Sequence, residues 1–145
     1  MVTNKLVLVE DDEILSKVIF KELQDANYKV SRAFDGEEGL RMIQEEKPDL
    51  VLLDLVLPKK HGFDVLKEIK ASPETSEIPV LILTMLGSDD DIKKGLQLGA
   101  NDYIVKSQHA VAEIIEKVKK FLLAEHHPGV SRGVAPSEAE SGKKK

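Results

Sequence analysis
The chain predicts a doubly wound α/β domain built on a five-stranded parallel sheet, and three observations carry that prediction. Short runs rich in Val, Ile and Leu, with little alternation, are what strands buried on both faces look like when helices cover both sides of a sheet. Longer stretches between them place apolar residues at three- and four-residue steps, the period of a helix with one buried face. Gly, Pro and Asp punctuate the joints. Reading along gives five strands alternating with five helices, the pattern of a doubly wound sheet.

In chain order, Lys5 to Val9 is the first apolar run, and it ends in Glu10, Asp11 and Asp12. The first helix follows, with Ile14, Leu15, Val18, Ile19 and Leu23 on one face and Lys17, Lys21, Glu22 and Gln24 on the other. Asp35-Gly36 marks a turn before a helix around Glu37 to Gln44, and Lys47-Pro48-Asp49 marks the next. Val51-Leu52-Leu53 then stops on Asp54. His61-Gly62 leads into a helix over Phe63 to Lys70, which Ser72-Pro73 closes. Val80 to Leu83 ends in Thr84, and a helix spans Asp89 to Leu98 before Gly99-Ala100-Asn101. Tyr103-Ile104-Val105 ends in Lys106. The last helix carries Ile114, Ile115, Val118, Phe121 and Leu122 beside Glu113, Glu116, Lys117 and Lys120.

Composition sets the classes that remain. The 145 residues, 41% of them hydrophobic, make one domain with a sizeable core, assigned to residues 1–124. From residue 125 onward the text turns to His, Pro, Gly, Ser and a lysine run, so residues 125–145 read as a flexible tail or a severed linker. The absence of cysteine excludes disulfides, thiol catalysis and cysteine-ligated metals. No apolar run approaches the roughly 20 residues that a membrane span needs. The start lacks a signal-peptide layout, and a cytoplasmic protein is expected. The formal charge is −5, and Arg132 and Lys143 to Lys145 lie in the tail, so the folded part is more acidic still. That balance speaks against a nucleic-acid surface on this domain.

If the runs are parallel strands of one sheet, their terminal polar residues emerge along one carboxyl edge. Ligands bind beyond that edge where strand order reverses, and for the flavodoxin-like order 2-1-3-4-5 this point lies between the first and third strands. Those are the strands ending in Glu10-Asp11-Asp12 and in Asp54. Carboxylates gathered within about 4–6 Å raise one another's proton affinity unless a cation compensates. Oxygen donors alone favour a hard ion, and Mg²⁺ takes one or two carboxylates, keeps several waters and shares a position with phosphate. Lys106 offers a positive charge for a phosphoryl oxygen or for Asp54, and Thr84 a hydroxyl. Together they suit phosphoryl chemistry with an aspartate as nucleophile. Each residue also has an ordinary role open to it: Asp12 as a helix cap, Glu10 and Asp11 as caps or solvated groups, Asp54 as a turn former, Tyr103 as a half-buried strand residue. The coincidence of four strand ends distinguishes the readings.

Val9-Glu10-Asp11-Asp12, Leu52 to Pro58, His61-Gly62-Phe63, Ile78 to Thr84 and Gly99 to Lys106 together resemble the receiver domain of two-component response regulators, in order and with that family's spacing from about Lys5 to Leu123. The resemblance implies that Asp54 is a phosphoacceptor served by a histidine kinase or phosphotransfer protein. It implies Mg²⁺ held by Asp11 directly, by Glu10 through water, by Asp54 and by the backbone carbonyl of Val56. Thr84 then resembles the residue whose hydroxyl swings to the phosphoryl group, Lys106 the one that pairs with it, and Tyr103 the aromatic that turns inward on activation. The implied protein is a switch and not an enzyme, beyond assisting its own phosphorylation and dephosphorylation. Its responsive surface would comprise the fourth helix, fifth strand and fifth helix, including Ile92, Leu96, Ile104 and the turns after Gln108, and would bind a downstream partner or a second copy.

Three departures from the family pattern stand out. Ser107 follows Lys106 where the family usually has proline, and a cis bond there would cost about 2.5–4 kcal/mol, so a trans peptide is expected. Lys59-Lys60-His61 is unusually basic, either for a particular kinase or as a solvated loop. Val56 and Leu86 are both apolar, which predicts poor positioning of attacking water and slow loss of phosphate. Among rivals, the haloacid dehalogenase type of phosphohydrolase resembles Asp-x-Asp, whereas Val56 stands two beyond Asp54. No glycine-rich nucleotide loop occurs. A phosphate-independent interaction module on the same fold ranks second.

Overall fold
The computed structural model describes residues 3–125. Its elements are β1 (Lys5–Val9), α1 (Glu13–Asp25), β2 (Lys29–Ala33), α2 (Gly36–Glu46), β3 (Leu50–Leu53), α3 (Gly62–Ala71), β4 (Val80–Thr84), α4 (Asp89–Gln97), β5 (Asp102–Val105), a short 3₁₀ turn (Lys106–Gln108) and α5 (Val111–Glu125). All strand pairs are parallel, in the order β2-β1-β3-β4-β5. The tail expected at 125–145 falls, from residue 126, outside the described residues. Among the described residues no helix is long and apolar enough to cross a membrane.

Alternation along the strands sorts the core into two layers. Val7, Val9, Val51, Leu53, Val80 and Ile82 face Leu40 and Ile43 of α2 and Val65, Leu66 and Ile69 of α3. Leu6, Leu8, Leu50, Leu52, Leu81 and Leu83 face Ile19 and Leu23 of α1 and Ile114, Ile115, Val118 and Leu122 of α5. Because both parities are buried, β1, β3 and β4 show no polar alternation in the sequence. β2 is the exception, an edge strand with Lys29, Ser31 and Arg32, of which only Ala33 is fully buried.

Two expectations need correction. The apolar face of α1 is wider than its buried stripe: Ile19 and Leu23 are buried, but Ile14 is 79% exposed and Val18 42%. Ile14 stands in the first turn of α1, next to the Asp12 cap, and stays open to solvent. Ile104 is wholly buried against α5 and does not belong to a surface of α4, β5 and α5. Tyr103 and Ile104 are successive strand residues and point to opposite faces, so only one of them looks toward α4.

The helices start where side chains can receive their free N–H groups. Asp12 accepts from the N–H of Leu15, Asp35 from that of Glu38 and Ser88 from that of Asp91. At α3 the cap is a histidine, with His61 Nδ1 accepting from Phe63 N–H at 3.1 Å. Lys59 lies 3.8 Å from Asp35 and Lys60 pairs with Glu68, so all three residues of the basic loop have partners within the chain. The Lys106–Ser107 peptide is trans.

Gly62 begins α3 directly beneath the β3 edge. Its N–H donates to the Leu55 carbonyl at 2.8 Å, and a Cβ there would stand 2.4 Å from the Asp54 carbonyl oxygen and 2.5 Å from Leu55 Cα. Backbone cannot step aside as a side chain can. Gly62→Ala is therefore expected to lower stability by on the order of 2 kcal/mol or more. Gly87→Ala, whose Cβ would meet only the Val105 side chain at 3.1 Å, should lose much less. Urea unfolding of both variants checks the difference, and equal midpoints would refute it.

Candidate functional site
Register between β1 and β3 builds the site. Val9 pairs with Leu53, so the next residues, Glu10 and Asp54, leave the sheet side by side. Main-chain bonds hold them there: Asp54 N–H donates to Val9 O and Glu10 N–H to Ala33 O, both at 3.0 Å. One carboxylate oxygen each from Glu10, Asp11 and Asp54 lie within 4.8 Å of one another. Glu10 and Asp54 are 1% and 4% exposed, while Asp11 faces solvent.

Lys106 closes the cluster from the end of β5. Its Nζ lies 2.7 Å from Glu10 Oε1 and 2.9 Å from Asp54 Oδ2, so one ammonium bridges both buried carboxylates. The remaining oxygens have backbone donors, with Asp12 N–H reaching Glu10 Oε2 at 3.1 Å and Val56 N–H reaching Asp54 Oδ1 at 3.3 Å. The residue expected to lend its carbonyl is thus also a main-chain donor to Asp54.

The electrostatics are those of an under-neutralised pocket. Burial pushes the Glu10 carboxyl up to about 7, more than the hydrogen bond from Lys106 pulls it down, and the charge on Asp54 adds to the rise. Burial also opposes the charge on Lys106, but its hydrogen bonds to Glu10 and Asp54 outweigh that and hold its proton more tightly than usual. Both shifts bear on one contact: Lys106 favours the charged form of Glu10, and burial opposes it more strongly. Two buried carboxylates and Asp11 against a single cation leave negative charge uncompensated. An all-oxygen donor set with surplus negative charge fits a hard divalent cation.

Thr84 and Tyr103 occupy the adjoining edge. Thr84 is wholly buried, and its Oγ1 accepts from Leu86 N–H at 3.4 Å, a long bond. Tyr103 is half-buried, and its hydroxyl donates to the Leu86 carbonyl at 2.6 Å, with burial pushing its pKa up to about 12. Both residues therefore engage the same short loop between β4 and α4. Sequence reasoning singled out Leu86 for its apolar side chain and missed that its main chain is the shared partner. No local pattern announces such a contact.

The apolar rim was also missed. Ile14, Val18 and Met85, at 79%, 42% and 62% exposure, line a groove of about 430 Å³ with Leu15, Val111, Asp12, Ser107 and Lys106 itself. The signal lay in Ile14, an apolar residue in the first turn directly beyond the Asp12 cap.

A family model described as the response regulator receiver domain matches residues 6–119. The transcriptional regulatory protein CiaR of Streptococcus pneumoniae is 49% identical over 102 residues, covering 70% of this chain and 44% of that protein. The transcriptional regulatory protein CpxR of Klebsiella pneumoniae is 37% identical over 123 residues, covering 85% and 51%. The chain therefore spans about half the length of these relatives. Among solved structures, the BeF3-activated receiver domain of Klebsiella pneumoniae RstA is similar at TM-score 0.74 with 34% identity, covering 82% of this chain and 98% of that one. A CheY-like receiver domain protein of Methanospirillum hungatei is similar at TM-score 0.77 with 26% identity, covering 83% and 94%.

A carboxyl that keeps its proton to about 7 in the fold, against an ordinary 4.5, stabilises the fold fully below about 4.5 and withdraws that support as pH rises through 7. Metal-free wild type is expected to lose on the order of 1–3 kcal/mol between about pH 5 and pH 8 relative to Glu10→Gln, which has no proton to release. Urea midpoints in a chelating buffer at both pH values read this out. Parallel pH dependence of the two proteins would show Glu10 ionised throughout.

Proposed function
The chain belongs to the response regulator receiver domain family, and from that membership we propose that it is a phosphorylation-dependent switch whose phosphoacceptor is Asp54. The observation that carries the reading is the Lys106 ammonium bridging Glu10 and Asp54 where three carboxylates converge. A phosphate-independent binding module has no use for buried, under-neutralised charge that works against its own stability.

In the proposed transfer, an Asp54 carboxylate oxygen attacks the phosphorus of a phosphohistidine on a histidine kinase or phosphotransfer protein. A P–O bond forms, the P–N bond breaks, and the imidazole nitrogen leaves with the bonding pair. Mg²⁺, held by Glu10, Asp11, Asp54 and the backbone carbonyl of Val56, would offset the charge of the phosphoryl oxygens. Lys106, already at Asp54 Oδ2, neutralises charge on the acyl phosphate and must loosen from Glu10 to follow it. Thr84, whose present bond is long, gains a stronger acceptor in the phosphoryl oxygens and draws the β4–α4 loop with it. That movement disturbs the Tyr103–Leu86 bond and alters the α4-β5-α5 surface, where Leu96 is 47% exposed and Ile92 half-buried. This surface would receive a downstream partner or a second copy.

The donor's landing area follows from burial. Asp54 is 4% exposed, so a protein donor must cover the rim, and Ile14, Val18 and Met85 offer it apolar area beside Lys106. The chain catalyses nothing on another molecule in this reading, and its place is the cytoplasm with its donor.

Acetyl phosphate with Mg²⁺ is expected to give one phosphoryl adduct on the wild type and none on Asp54→Ala, read by intact-protein mass spectrometry and peptide mapping. An adduct on another residue, or none, would overturn the assignment. Val56 is 53% exposed at the site and carries no group to orient water. Phosphate loss in a magnesium chase should accordingly be slow and should accelerate by roughly tenfold in Val56→Asn, the order of a modest water-positioning effect. A wild type that loses phosphate as fast as that variant would contradict this.

A further inference from the structure
α4 is the most lightly seated helix of the domain. α1, α2 and α3 each bury two or more apolar side chains, whereas the only buried residue of α4 is Gly95. A glycine buries backbone, so α4 meets the sheet through its own main chain. Glycine disfavours a helix interior, and close approach is the usual compensation.

What Gly95 approaches is specific. A Cβ there would lie 2.8 Å from Ile82 Cδ1, 2.9 Å from Tyr103 Cδ2 and 3.1 Å from Tyr103 Cε2. Ile82 is wholly buried in β4, and the atom met is the tip of its side chain. Tyr103 is half-buried on the edge strand β5, and its hydroxyl holds the Leu86 carbonyl two residues before Ser88, the cap of α4. One side chain therefore touches both the middle of the helix and the loop that leads into it. A second hold on α4 lies elsewhere: Lys94 Nζ sits 4.7 Å from the ring centroid of Phe63, which is buried at the start of α3.

We propose that Gly95 is a positioning residue of the switch: the bare backbone at this position lets α4 and the Tyr103 ring share one seat on the sheet, so that rotation of the ring and displacement of the helix are one event. A methyl at this position would meet both Ile82 and the ring, so the helix has no slack toward the sheet while the ring keeps its present place. The Lys94–Phe63 contact does not involve Tyr103. The inference deepens the reading of Tyr103 as the turning aromatic and rests on it for its biological meaning, but not for its sterics.

A double-mutant cycle without metal or phosphodonor tests the seat. Gly95→Ala is expected to lower the urea midpoint in the wild-type and Tyr103→Phe backgrounds, where a ring remains. In Tyr103→Ala the same substitution should cost clearly less, since the ring contacts have gone and only Ile82 Cδ1 is left to give way. If Gly95→Ala alone does not fold, folding of the Gly95→Ala/Tyr103→Ala protein supports the proposal equally. An equal shift in all three backgrounds, or failure of both proteins to fold, overturns it.

Amide and aromatic NMR with Mg²⁺ and beryllofluoride separates this from the underlying function. α4 resonances of Gly95→Ala should already be displaced, before the ligand is added, along the path that wild type follows on titration. Should the cycle hold while beryllofluoride moves neither Tyr103 nor α4 in wild type, the seat stands and Tyr103 is not the switch. Should beryllofluoride move both while the cycle shows no coupling, the switch stands and the seat falls.

Discussion
Uncompensated negative charge at the carboxyl edge of β1 and β3 is the constraint around which the domain is arranged. Parallel register sets Glu10 beside Asp54 with almost no exposure to water, and one ammonium, carried from the far edge strand, is shared between them. A fold selected only for stability would fill this position with apolar residues. The site instead stays short of positive charge, a deficit that a hard divalent cation would offset.

The surrounding structure divides the work between its two faces. The layer of α1 and α5 buries full-sized side chains against the sheet and holds Lys106 at the end of a well-packed strand. On the other face, α2 and α3 are equally well anchored, and Gly62 locks α3 beneath the backbone of Asp54 and Leu55. α4 differs, with one buried glycine and a lysine lying over a neighbouring ring. Well-packed elements thus define where the charge sits, and one helix is seated with far less buried side chain.

The contrast between β1 and β2 explains how much of this was legible beforehand. β1, β3 and β4 declare themselves because a strand covered on both faces must be apolar at nearly every position. β2 lies at the edge, carries Ser31 and Arg32, and was implied by alternation alone. Glu10, Asp11, Asp54, Thr84 and Lys106 were legible because each closes a strand or lies within two residues of its end, so strand direction alone places them on one edge. Ile14 and Val18 were misjudged because helical period reveals an apolar face but not how much of it the fold covers. Ile104 was misplaced because its neighbour Tyr103, one residue away, points to the opposite layer.

Read by itself, the chain determined which segments become strands and helices and which polar groups gather at their ends, since these depend on burial and on neighbours a few positions away. Tertiary structure alone decided that Lys106 serves two carboxylates at once, one of them 52 positions distant, that Tyr103 and Thr84 meet on the backbone of Leu86, and that α4 rests on a glycine. Those contacts join residues remote along the chain, and their distances are set by strand register and helix placement, which no local pattern encodes.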